Sequence, residues 1–193
     1  KEAVECYDKA LEVDHKDVGI LFNKGLALDD LDRHKEAVEC YDKALEIDPK
    51  DVDVLYWKGR VLSTSALPGV VDHEYCEIPT LDVSKHEEAI KCFDKVLEID
   101  PKDVDALLDK AVEFHNHLHK PEEAIKCYDK WIEIDPKNIY PISSKADALY
   151  DLQKYTEAYE YAKKAAVYID PEDESMVAYL ERLFKKIKEK LDP

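Results

Sequence analysis

Glu36-Ala-Val-Glu-Cys-Tyr-Asp-Lys-Ala-Leu-Glu-Ile-Asp-Pro-Lys-Asp51 is the stretch around which the chain is organised. Near-copies stand at Glu2–Asp17, Glu88–Asp103 and Glu123–Asn138, with a weaker one at Glu157–Asp173. Repetition at a fixed period decides architecture before local propensity does. Counted on the first alanine of each copy (Ala3, Ala37, Ala89, Ala124, Ala158), the spacings are 34, 52, 35 and 34 residues. The outlier exceeds 34 by 18, so one unit carries an insertion.

Ala37, Tyr41 and Ala44 recur at helical spacing, and Asp48-Pro49 closes the run. With these residues the unit resembles a tetratricopeptide repeat, which implies that each copy is the second helix of a pair. The segments between copies supply the first helices, near Val18–Leu31, Val52–Ser63, Val104–His117 and Ile139–Leu152. Asp17, Asp51, Asp103 and Asn138 precede them, and their side-chain oxygens can accept from the free amides of an opening turn. Each first helix offers a large apolar residue followed four places on by a small one: Leu21/Gly25, Leu55/Gly59, Leu107/Ala111 and Ile142/Ala146.

The resemblance covers nearly the whole chain. It implies an all-α, right-handed superhelical solenoid of antiparallel helix pairs with a C-terminal capping helix. The expected layout is a partial repeat over residues 1–17, then units over 18–51, 52–103, 104–138 and 139–171. A capping helix follows over 172–193, where Met176, Val177, Leu180, Leu183, Phe184, Ile187 and Leu191 recur at helical spacing. Some positions depart from the pattern. His15 stands where Pro is expected, Val96 and Trp131 replace the second small residue, and Lys24, Lys58, Lys110 and Lys145 stand where the family often has Leu.

The insertion falls at about residues 64–83, within the second complete unit. Ser84-Lys-His-Glu87 reads as a capping box at its far edge. Insertions in repeat arrays map to loops on one face, often the binding face. At the other extreme, Lys1–Asp14 is a second helix without its first. Its outer flank is expected to be exposed or to mate with a neighbouring copy.

Composition narrows the function. The net charge is −17, a field that repels phosphate backbones and anionic membrane surfaces and favours basic partners. No nucleophile elbow or phosphate-cradling glycine loop is present, so no enzyme activity and no cofactor are expected. Cys6, Cys40, Cys92 and Cys127 hold equivalent places in successive repeats. Stacked units about 10 Å apart exceed disulfide reach, about 7 Å between Cα atoms. Free thiols in a reducing, cytoplasmic setting are the expectation.

In the family the first helices line a concave groove that takes peptides. Register places Phe22, Leu26 and Asp29 there, then Asp53, Tyr56 and Arg60, then Asp105, Leu108, Asp109 and Val112, and finally Tyr140, Asp147 and Tyr150. Aromatic anchors among carboxylates suit a basic or amphipathic peptide. The same register finds no Lys or Asn where some relatives clamp a C-terminal carboxylate, so that ligand is rejected. Histidines offer an alternative. His115-Asn-His-Leu-His119 alternates ligands, and His73 and Cys76 lie in the insertion, so metal binding by His73, Cys76, His115, His117 and His119 is a rival reading. Structural self-association is another.

Overall fold

A computed structural model describes residues 1–66 and 82–191. Every regular element among them is helical. Most of the insertion, with His73 and Cys76, lies outside the described residues. Its margins are helical: Thr64–Ala66 end one helix and Val83 opens the next. The chain forms two compact units, Lys1–Ala106 and Leu107–Pro193.

The first unit contains α1 (Glu2–Val13), α2 (Val18–Asp29), α3 (His34–Ile47), α4 (Val52–Ala66) and α5 (Val83–Ile99). Each helix packs on the next in sequence. Leu21, Leu28, Ala37, Tyr41, Ala44, Val54 and Val61 form one buried cluster, and Leu55, Ala89, Phe93 and Val96 anchor a second. Val96, one of the departures from the repeat pattern, is fully buried.

α6 spans Val104–Val112. The second unit continues with a π turn (Glu113–His117), then α7 (Pro121–Ile134), α8 (Ile139–Asp151), α9 (Tyr155–Val167) and α10 (Glu174–Leu191). Ile142, Ala146, Ala158, Ala162 and Ala165 pack with Leu180, Leu183 and Ile187, so α10 buries its apolar stripe on the last helix pair.

The helix starts obey the capping logic. The amides of Ile20, Val54, Ala106 and Tyr140 donate to side chains of Asp17, Asp51, Asp103 and Asn138 at 2.9, 3.0, 2.8 and 3.1 Å. The turns before them are equally regular. Asp14, Asp48, Asp100 and Asp135 each accept from the amide two residues on, at 3.1, 3.1, 2.9 and 3.3 Å. The first of these forms with His15 in the proline position, because the aspartate carboxylate holds the turn by itself.

The capping box expected at Ser84–Glu87 does not form. The Ser84 hydroxyl donates to Asp82 Oδ1 at 2.6 Å, and α5 begins at Val83, one residue before the expected cap. Its fourth residue, His86, is fully buried. Cys6 is exposed, whereas Cys40, Cys92 and Cys127 are buried. All four are free thiols.

Three of the lysines that replace Leu have a structural explanation. Lys24 Nζ lies 2.5 Å from Asp8 Oδ1, Lys58 pairs with Asp42, and Lys145 Nζ lies 2.5 Å from Asp129 Oδ1. Each joins a first helix to the second helix of the preceding pair, sixteen residues back. Their aliphatic stems fill part of the space a Leu would take. Lys145 is the most enclosed, with its side chain 11% exposed, and Tyr161 adds a hydroxyl contact at 2.8 Å.

The 35-residue spacing is explained at the π turn. A residue with positive φ ends the inter-helix turn in three pairs: Asp32 (57°), His119 (51°) and Gln153 (60°). Each stands five residues before the key alanine of the next helix. It lies 15 residues after the cap in the first and last of these pairs but 16 after Asp103. The extra residue is taken up by a wider turn, closed by the Leu118 amide on the Glu113 carbonyl at 2.9 Å. A π turn is the usual way a helix absorbs one residue, and such turns are frequent at functional sites.

Candidate functional site

The expected peptide-binding positions lie on first helices, where the repeat fixes their direction: Leu21, Gly25 and Leu28 of α2 turn into the core, leaving Phe22, Leu26 and Asp29 on another face. None of the thirteen positions is fully buried.

In the first unit the aromatic positions are linked. Phe22 packs on Tyr41 with ring centroids 6.1 Å apart. Tyr56 meets Phe93 at 6.1 Å and stands edge-on to Trp57 at 6.2 Å. The Arg60 guanidinium lies 4.9 Å from the Trp57 ring and 6.0 Å from that of Tyr56. These aromatic faces therefore already hold one cation, through the attraction of a positive group to the negative face of a ring. Asp53 and Asp105 are exposed, each in the first turn of its helix. Asp29 is engaged by His34, whose Nδ1 lies 2.8 Å from its Oδ1. Leu26 is half-buried.

In the second unit Leu108, Asp109 and Val112 of α6 are half-buried, and Tyr140 at the start of α8 is 55% exposed. The last two positions meet the capping helix. Tyr179 of α10 donates its hydroxyl hydrogen to Asp147 Oδ2, and Lys186 Nζ lies 5.7 Å from the centre of the Tyr150 ring. The Tyr179 hydroxyl is held well above its ordinary pKa, first by burial and then by the Asp147 charge, so it remains a donor. α10, with lysines at Lys185, Lys186, Lys188 and Lys190, thus presents a cation to an aromatic ring and a donor to a carboxylate. A separate cavity of about 560 Å³ lies between α9 and α10, floored by Tyr159 and Phe184. Its rim carries Lys163, Lys185 and Lys188 against Glu181 and Glu189, the wrong balance for a basic ligand.

The histidines divide. His115 Nε2 lies 2.8 Å from Asp151 Oδ2, and its Nδ1 is 3.5 Å from the Tyr128 hydroxyl. His119 is exposed at the positive-φ turn, and His117 is half-buried. Residues two apart on a helical turn do not share a face, so the alternation in the sequence does not gather these three. Sequence reading passed over Glu113, which is 1% exposed. The signal was present: the equivalent place in the other pairs holds Ala27, Val61 and Ala148.

Models of the tetratricopeptide repeat match residues 19–51, 40–91, 83–103 and 106–138. The chain belongs to the tetratricopeptide repeat family. Solved tetratricopeptide structures align over most of it. MamA residues 41 to the end, from Desulfovibrio magneticus RS-1, is 20% identical with a TM-score of 0.68, covering 86% of this chain and 84% of that one. A MamA double mutant from RS-1 is 20% identical with a TM-score of 0.71, covering 90% and 86%. YrrB, described as a TPR protein with an unusual peptide-binding site, is 19% identical with a TM-score of 0.65, covering 98% and 90%. At these identities the likeness extends to the fold. No curated protein matches the sequence. Among the described residues no helix is long and apolar enough to cross a membrane.

Proposed function

We propose that this tetratricopeptide repeat protein is a non-catalytic interaction scaffold whose first-helix faces bind a basic or amphipathic peptide segment. The observation that carries the reading is Arg60 against Trp57 and Tyr56. The face attracts a guanidinium within the chain, and the exposed Asp53 and Asp105 leave charge for more. Phe22, Leu26, Asp29, Asp53, Tyr56, Arg60 and Asp105 are the proposed contacts in the first unit. Leu108, Asp109, Val112, Tyr140, Asp147 and Tyr150 are those in the second. YrrB's description as a protein with a peptide-binding site supports the class of ligand, and the net charge of −17 supports its sign.

The reading is supported by the contacts that Tyr179 and Lys186 of α10, itself amphipathic and rich in lysine, make with Asp147 and Tyr150. The reading is tested with Tyr56→Ala and Asp105→Lys. Each should weaken capture of a basic amphipathic peptide at least fivefold, and raised salt should weaken it further. Capture that is insensitive to both substitutions and to salt contradicts the reading.

A further inference from the structure

We propose a second, separate site: a divalent transition-metal site on the π turn, with the Glu113 carboxylate and the His117 imidazole as ligands. Three observations converge on it. First, a carboxylate oxygen of Glu113 and a ring nitrogen of His117 lie within 4.8 Å of each other. Zinc holds nitrogen and oxygen ligands at about 2.0–2.2 Å, which sets adjacent ligand atoms roughly 3.4 Å apart.

Second, Glu113 occupies a place that is apolar in the other helix pairs. Ala27, Val61 and Ala148 stand there, and Val61 and Ala148 are buried like Glu113 itself. A repeat that otherwise keeps this place apolar has exchanged it for a metal-ligating group, in the pair that also carries an extra residue. Third, that extra residue forms the π turn, and Glu113 and His117 are its first and last residues. The turn supplies the acid and the imidazole together.

The donor set is one oxygen and one nitrogen, with the remaining positions open to water or a further donor. Imidazole with carboxylate suits zinc and its first-row neighbours over calcium or magnesium, which prefer all-oxygen sets. His117 is half-buried, so an ion can reach the site from solvent.

The test is calorimetric titration of zinc chloride into the full chain, on a Cys6→Ser background because the exposed Cys6 thiol can bind zinc independently. One zinc per chain is expected. Its affinity should fall at least tenfold in Glu113→Ala and in His117→Ala and stay within twofold in His119→Ala. Glu113→Ala should fold, since alanine fills the same place in two other pairs. Should it not, the thermal midpoint decides: zinc should raise that of the parent and leave that of His117→Ala unmoved. Absence of heat, or stoichiometric binding that survives either ligand substitution, overturns the proposal.

Discussion

A β-carbon built onto Gly25 would lie 2.4 Å from Cε1 of Tyr41. The Tyr41 ring fills the notch left by the missing side chain, and Phe93 fills that of Gly59 in the same way, at 2.7 Å. Two helices close on each other there with no room for a methyl group. Gly25→Ala gains about 1 kcal/mol of helix propensity but meets a rigid ring, where overpacking costs about 1–3 kcal/mol. The expected result is a net loss of up to about 2 kcal/mol in urea unfolding. In the double variant Gly25→Ala, Tyr41→Leu the two losses should be less than additive, because the clash is shared.

Tyr41→Phe should have the opposite effect. Among the described residues the Tyr41 hydroxyl is buried without a hydrogen-bond partner, and the next pair carries Phe93 at the same place. Removing an unsatisfied buried polar group is expected to raise stability by up to about 1 kcal/mol. Burial, then the Asp29 charge, push the phenol's pKa well above its ordinary value of 10.0. The folded state therefore resists a deprotonation that the unfolded chain undergoes, and the parent loses stability as pH rises past 10. The advantage of Tyr41→Phe should widen in that range, as read by unfolding at pH 8 and pH 11.

Lys145→Met tests the lysine–aspartate pairs where they are most enclosed. Burial acts to lower the Lys145 pKa, but the hydrogen bonds to Asp129 and Tyr161 and the Asp129 charge outweigh it, and the net shift is upward from 10.5. A raised lysine pKa gives stability that is fully present below 10.5 and lost as pH climbs through the folded value. Lys145→Met should cost about 1.5–2 kcal/mol at pH 7, at the lower end of the range for charge-assisted hydrogen bonds. The deficit should shrink above pH 10.5. Lys24→Met should cost less than about 1 kcal/mol, because the Asp8 partner is half exposed, at 52%.

Deleting exposed Asn116 restores the 34-residue spacing. An ordinary α-helical turn should replace the π turn, with helix content by circular dichroism unchanged and the melting temperature within a few degrees of the parent. Unfolding on deletion would show that the turn is a structural necessity, not an accommodated insertion.

Much of the fold was legible in the sequence because each repeated position does one physical job. Asp17, Asp51, Asp103 and Asn138 cap, Gly25 and Gly59 make notches, and Tyr41 and Phe93 fill them. What stayed hidden depended on which partner won a competition. Ser84 could cap a helix, but the Asp82 carboxylate takes its hydroxyl. Lys58 and Lys145 looked like flaws in the pattern until Asp42 and Asp129 proved to stand opposite them. The alternating histidines read as possible ligands, while the buried acid at Glu113 stands out only against its apolar equivalents Ala27, Val61 and Ala148. At the proposed peptide site, sequence register supplied the list of residues. Only the coordinates showed Arg60 against Trp57, and α10 engaging Asp147 and Tyr150.

The central claim is that the first-helix faces recognise a basic, amphipathic segment. Its most direct test is selection of a random peptide library on the immobilised chain, followed by affinity measurement for the enriched peptides by Trp57 fluorescence. The account predicts enriched sequences with net positive charge and apolar residues at helical spacing. Their affinity should fall at least fivefold with Tyr56→Ala, with Asp105→Lys and between low and high salt. Enrichment of acidic or uncharged peptides whose affinity ignores both substitutions would contradict it.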